Sequence, residues 1–285
     1  MKLFKSSASI FLSILLIVAS ATCQEKSSPT TAILGAFGDE VALIEAQLSD
    51  KREQKIQGIS FKTGKLNGRN VVVASSGIGK VNAAITTTLL LEHFKPAEVI
   101  FTGIAGGINT EILPADIVIA ERTAQHDYGA LTTEGFEHRG ALSPVDGQRN
   151  PVFFPADPRL VAAAERAIER VEFEMVETDS VPRKPKVIKG VIVTGDAFIS
   201  SAEKKAELKK ALGADAVEME GAAVAQVCFQ QKTACLVIRS MSDLADANAR
   251  RDYEKFYRLA ARNSARFVTA IVGQLASARS NSAKN

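Results

Sequence analysis

Glu40, Glu220 and Asp243 each follow, within a few residues, a short apolar run that reads as a β-strand: 32–34, 214–217 and 235–239. In an open α/β sheet, ligand crevices form at the carboxyl ends of strands, so the topology can bring three such acids to one place. Carboxylates that share a crevice repel one another. At least one then holds its proton near neutrality and can act as an acid. The others are left to activate water and to grip hydroxyls. That set suits cleavage of a glycosidic bond through an oxocarbenium-like transition state, with acid help to the leaving group and a water on the other face of the sugar. Spacing alone leaves a plainer alternative open, in which all three are helix-starting acids held by the helix dipole.

The neighbours of these acids bear on both readings. Glu220 lies in Val217-Glu218-Met219-Glu220-Gly221, between a strand and a helix of small residues. A carboxylate there is close to free helix N–H groups and is expected to stay ionised, with Met219 packing a sugar face. The alternative is a capping acid beside a core methionine. Phe198 is either a stacking platform for a flat ligand or part of the core. Gly77-Ile78-Gly79-Lys80 turns from strand to helix without the Walker spacing, which makes it a weak anion signal. Three glycines within 103–107 let the backbone pass close to a ligand or to a neighbouring strand.

Positioning these residues takes strands that alternate with helices. After the 32–34 strand, a helix begins at Asp39 with Val41, Leu43, Ile44 and Leu48 on its apolar face. Strands over 56–62 and 70–75 read as a pair joined by tight turns around Gly64 and Asn67-Gly68. Helices are expected over 81–93, 159–172, 202–212 and 252–275, and further strands over 99–102, 116–120, 187–193 and 235–239. Residues 125–158 carry four prolines and Phe153-Phe154, a long structured loop of the kind that serves as a lid or an interface. No linker divides 32–276. The expectation is one α/β domain, three-layer α/β/α with a central mixed sheet, followed by a flexible tail over 277–285.

A chain of 285 residues, 46% hydrophobic and 24% charged, has the composition of one large globular domain. Its first residues differ. Lys2 and Lys5 precede an apolar run over 10–18 that ends in Ala19-Ser20-Ala21, the pattern of a signal peptide over 1–23, with a polar linker over 24–31. Cleavage after Ala21 fits the small-x-small rule. Lipid attachment at Cys23 is the alternative, although Thr22 makes a weak lipobox. The chain is therefore expected to be exported and periplasmic, and anchored to a membrane only if Cys23 is lipidated. Losing the segment removes two lysines and no acids, taking the formal charge from +3 to +1. Nothing in that balance suggests nucleic acid. Cys228 and Cys235 read as small buried thiols, and His93, His126 and His138 are scattered, so neither a metal nor a cofactor is expected.

Six segments carry a resemblance: Leu34 to Val41, Ser76 to Ala84, Thr102 to Gly107, Gly195 to Ile199, Val217 to Glu220 and Arg239 to Asp246. In this order and spacing they resemble the 5′-methylthioadenosine/S-adenosylhomocysteine nucleosidases of the purine nucleoside phosphorylase superfamily. The resemblance implies a nucleoside phosphorylase-like fold and hydrolysis of the N-glycosidic bond, releasing adenine and the ribosyl sugar. It makes Glu40 the base that activates water and Asp243 the acid that protonates N7 of adenine. Glu220 would hold the ribose 2′- and 3′-hydroxyls, Met219 would line the sugar, and Arg239 would orient Glu220 and the water. Phe198 would stack on adenine, Ile199 and Ser242 would shape the base pocket, Gly107 would sit beside the substrate, and Tyr253 would lie near the 5′-thio group. A homodimer is implied as well, with Phe153-Phe154 as a candidate contact.

The chain departs from the family pattern at Ile104, where a serine is common, and along 125–158. Three rivals stay open. A phosphorylase needs cations for phosphate, whereas the first turn here, Phe37-Gly38-Asp39-Glu40, holds two acids and no arginine. An exported nucleoside-binding protein without catalysis would account for the signal peptide but not for Glu40 together with Asp243. A third reading keeps the chemistry and changes the 5′-modified purine nucleoside.

Overall fold

A computed structural model describes residues 29–177 and 181–282 of the chain. The export segment 1–23, with Cys23, and most of the 24–31 linker lie outside them. Runs of β-branched residues without alternation mark strands buried on both faces, and the centre of the sheet is built from such runs. Strands β1 (Thr31–Gly35), β4 (Arg69–Ser75) and β5 (Glu98–Phe101) lie parallel, with Ile33 paired to Val73 on one side and Ile100 on the other. Beyond β4 come β3 (Ile59–Leu66) and β2 (Ser49–Ile56), both antiparallel.

On the other side of β5 runs β13 (Ala234–Asp243), whose length lets it serve several neighbours. Its first half pairs with β5, its last residues pair with β6 (Ile104–Gly107), and its middle meets β7 (Ile117–Gln125) antiparallel. From β6 the pairing passes to β12 (Ala216–Glu218), then to β11 (Val187–Thr194), and back to β7. That half of the sheet thus closes into a small barrel, with β10 (Phe153–Pro155) added outside β7. Helices α2 (Lys80–Phe94) and α5 (Gly221–Gln230) cover one face through Ala83, Leu90, Val224 and Cys228. On the other face, α1 (Gly38–Ala46), α3 (Pro158–Ala167) and α6 (Ala249–Ser282) bury Ile44, Leu160, Phe267 and Ile271. The remaining helix, α4 (Ala202–Leu212), seats Leu208 and Leu212 on the barrel strands. The three-layer α/β/α arrangement around a mixed sheet is the one the sequence led us to expect.

Several local expectations are corrected. Strand β2 is polar and exposed along nearly its whole length, so it carries no hydrophobic alternation to reveal it. Its turn into β3 is Gln57-Gly58, both with positive φ. Gly64 is not a turn but lies inside β3, where a Cβ would come within 2.7 Å of the Ser49 carbonyl oxygen. The glycine-rich segment after β5 is itself a strand, β6. Residues 125–158 hold a hairpin, β8 (Gly129–Thr132) with β9 (Gly135–His138), and Phe154 is buried edge-on against Phe229 at 5.6 Å. Phe154 therefore belongs to the core and is not free for a subunit contact. The expected tail is also shorter: α6 continues through 277–282, with the Ser277 hydroxyl donating to the Gly273 carbonyl, and only 283–285 fall outside the described residues.

Candidate active site

The turn after β1 places Glu40 at the third position of α1, where its carboxylate folds back on the start of its own helix. Oε2 accepts from the Ala36 N–H at 2.5 Å and the Phe37 N–H at 3.3 Å, and Oε1 accepts from the Ile104 N–H at 3.0 Å. The residue is 2% exposed. Burial raises its carboxyl above the usual carboxylate range, with the Arg239 charge and these three amides acting against the rise. Gly103 makes this approach possible, because a Cβ there would lie 2.4 Å from Glu40 Oε1.

Glu220 is the residue before α5, yet it does not cap that helix. The capping acid is Glu218, whose Oε2 accepts from the Glu220 and Gly221 N–H groups at 3.1 and 2.7 Å. Glu218 also pairs with Arg239 Nη2 at 2.6 Å and accepts from the Thr194 hydroxyl. Arg239 is 1% exposed and lies behind the cavity wall, over the Phe101 ring at 4.2 Å and 3.9 Å from Glu220 Oε2. It thus orients Glu220 mainly through Glu218, which the sequence reading passed over. The spacing could show only that acids at i and i+2 of a strand end point to one side; the buried arginine that both face comes from β13.

Freed from capping, Glu220 accepts from the Gly79 N–H at 2.8 Å, so the glycine turn before α2 serves a carboxylate rather than an anionic ligand. The surroundings of Glu220 work against the expected ionised form. Burial first, then the Glu218 charge, push its carboxyl up to about 8, with Arg239 and the Gly79 amide opposing. A hydrogen-bonded network holds the same turn from the other side. Asp196 Oδ1 accepts from the Lys80 N–H, Asp127 accepts from the Asp196 N–H, and Lys80 Nζ reaches Asp127 at 2.5 Å.

Asp243 ends β13. Its Oδ1 accepts from the Ala245 N–H at 2.9 Å and its Oδ2 from the Ser242 hydroxyl at 2.8 Å. Burial raises its carboxyl above the ordinary value, against those two hydrogen bonds. Gly106 makes room for it, since a Cβ there would come within 2.8 Å of Asp243 Oδ1.

The three carboxylates open onto one cavity of about 480 Å³. Phe198, Met219, Ser242 and Tyr253 line it with them, and Ile199 lines a small recess behind Phe198 and Met219. Phe198 is half exposed and meets Tyr253 edge-on at 6.1 Å, so it is a platform and not core. Gly107 is displaced from the expected position: it faces Leu244 and Ile112, and its neighbour Gly106 forms the wall. Ile104, where the family pattern commonly has a serine, stands on the wall. A wider groove of about 640 Å³, over Lys51, Arg52 and Lys65, contains none of these carboxylates. Among the described residues no cluster of His, Cys, Asp and Glu has the makings of a metal site. Cys228 and Cys235 are buried free thiols in contact with each other.

Comparison with known proteins identifies the family. Residues 30–273 match the family model of the phosphorylase superfamily. A 5′-methylthioadenosine/S-adenosylhomocysteine nucleosidase of Psychromonas ingrahamii is 39% identical over 245 residues, 85% of this chain and 98% of that protein. Among solved structures, the nucleosidase of Colwellia psychrerythraea in complex with adenine superposes with a TM-score of 0.74 at 37% identity, covering 87% of this chain and 96% of that one. The Neisseria meningitidis enzyme in complex with methylthio-immucillin-A gives 0.74 at 36%, covering 86% and 99%.

Proposed function

The chain belongs to the phosphorylase superfamily, and from that premise and the geometry of its cavity we propose that it is an N-glycosyl hydrolase of 5′-methylthioadenosine and S-adenosylhomocysteine, releasing adenine and the ribosyl sugar. The observation that carries the reading is the opening of Glu40, Glu220 and Asp243 onto one cavity with an exposed aromatic platform. Phe198 stacks on the base and Glu220 takes the ribose hydroxyls. Asp243, whose burial favours the protonated form, gives its proton to N7 as the C1′–N9 bond breaks, so adenine leaves neutral. Water adds to C1′ and its proton passes to Glu40. Ser242 holds Asp243 in place, and Arg239 acts from behind the wall through Glu218.

Phosphate would need a cation beside the sugar. The turn after β1 offers Asp39 and Glu40, and Arg239 is engaged by Glu218, so water is the better-suited nucleophile. The test is adenine release by residues 24–285 from methylthioadenosine, S-adenosylhomocysteine, adenosine and inosine, with and without phosphate. Release of adenine and free sugar without phosphate is expected. Release only with phosphate would make the chain a phosphorylase, and binding without turnover would make it a binding protein.

We further propose a homodimer, exported through residues 1–23 to the periplasm, with lipidation at Cys23 as the alternative to cleavage after Ala21. Exposed Ile78, Val81 and Ile85 at the start of α2 support the dimer. The Lys80–Asp127 pair joins this helix start to the segment that carries exposed Tyr128.

A further inference from the structure

The cavity distributes its polar groups unevenly, and a nucleoside placed in it leaves one region unassigned. With the base at Asp243 and Ser242 and the ribose hydroxyls at Glu220, the 5′ carbon is directed to the remaining wall. Phe37, Ile78 and Tyr253 make that wall apolar, which suits a thioether. Beyond them, at the exposed rim, stands Arg250, three residues before Tyr253 and on the same side of α6. A second charge borders the cavity-lining turn after β1. Asp39 is exposed between the cavity residues Phe37 and Glu40, and its charge is among those that, after burial, raise the Tyr253 phenol.

Among the described residues neither side chain has a protein partner. The acid nearest in sequence to Arg250, Asp252, is taken by Arg251 at 3.4 Å. A methylthio group would leave both charges idle. The tail of S-adenosylhomocysteine ends in an α-carboxylate and an α-ammonium, a pair of opposite charges at the end of a thioether.

We propose that Arg250 and Asp39 are specificity-determining residues that read a zwitterionic amino-acid tail on the 5′ substituent, Arg250 taking the carboxylate and Asp39 the ammonium. The site is then tuned to S-adenosylhomocysteine over methylthioadenosine. This rests on the nucleosidase reading above and adds the group that selects between its two substrates. Arginine suits the task because its planar donors match a carboxylate, whereas lysine offers only a point charge.

The test compares kcat/KM for four nucleosides: methylthioadenosine, S-adenosylhomocysteine, its decarboxylated (aminopropyl) analogue and its deaminated (carboxypropyl) analogue. Arg250→Met is expected to lower the ratio of S-adenosylhomocysteine to methylthioadenosine about tenfold, as loss of a charged hydrogen bond does, mainly through KM. The carboxypropyl analogue should suffer equally and the aminopropyl analogue should not. Arg250→Glu should invert the order of those two analogues, a result that a merely structural role cannot produce. Asp39→Asn should penalise the aminopropyl analogue alone of the two. Ratios that stay the same in all three variants, or that fall equally for charged and uncharged tails, would overturn the proposal. A wild-type chain that releases adenine from none of the four would instead overturn the nucleosidase reading on which it rests.

Discussion

Asp243 and Glu220 are both buried acids with raised pKa values, but the protein uses the rise differently at each. At Asp243 the retained proton is the reagent. Asp243→Asn should lower adenine release by about 10²- to 10⁴-fold, the usual worth of general acid help, while binding of adenine or of a transition-state analogue survives in calorimetry. The alkaline limb of the wild-type pH profile should lie above that of an ordinary aspartate and vanish in that variant. At Glu220 the rise is a cost to folding. The folded carboxyl keeps its proton up to about pH 8, whereas the unfolded chain gives it up near 4.5. The unfolded state is therefore increasingly favoured as pH climbs between those values. Stability contributed by this group is fully present below 4.5 and is lost by about 8. Glu220→Gln removes the titration, so the thermal midpoint of the empty variant should fall less between pH 5 and pH 8 than that of the wild type. Each kcal/mol recovered at pH 8 is worth about 2–4 °C in a chain of this size. Parallel curves for the two proteins would show that Glu220 is ionised throughout.

At the scale of elements, two thin features hold the site. One is β6, four residues of which two are glycines, threaded between β12 and β13. Its backbone lies so close to Asp243 that a single methyl group is too much. Gly106→Ala should displace the acid and cost about 10²-fold in kcat, the scale of an ångström's misplacement, with little loss of folded protein by circular dichroism. Wild-type turnover in that variant would mean that the wall yields easily. The other is the helix start at Glu218, which caps α5, anchors Arg239 and leaves Glu220 for the cavity. Helix ends need an acceptor for their free N–H groups. Glu218 meets that need, and so the neighbouring acid is available for chemistry.

The whole molecule keeps its chemistry and its ballast at opposite ends of the strands. At the amino ends, Glu98 is 1% exposed and takes Arg69 at 2.6 Å and Arg159 at 3.0 Å, tying β1, β4, β5 and α3 together. At the carboxyl ends, acids are brought together at a cost in stability and the cavity opens. The apolar start of α2 is the part of this architecture that a second copy would cover. Light scattering of residues 24–285 at micromolar concentration should give twice the mass of one chain, and Val81→Glu should halve it. A monomeric wild type would reject the dimer. Export is tested in the same framework by fractionating cells that express the full chain. Recovery in the cytoplasmic fraction with residues 1–23 intact would contradict it, and a membrane pool abolished by Cys23→Ala would establish lipidation.

By itself the sequence determined the alternation of strands and helices, the three acids and their common end of the sheet. Apolar runs and glycine turns are local, and their periodicity survives without knowledge of the neighbours. Six short motifs in register did the rest for the family. What remained beyond its reach depends on contacts between distant segments. Polar β2 is a strand only because β3 pairs with it, and Gly64 is needed only because Ser49 passes there. Glu218 and Glu220 look alike in the chain and both line the cavity, and only Arg239, Thr194 and Gly79, arriving from three other elements, decide which acid caps a helix and which is left free of capping. The raised Glu220 carboxyl was illegible in the sequence for the same reason. A helix N-terminus favours the charged form locally, but burial and a second carboxylate, both tertiary facts, outweigh it.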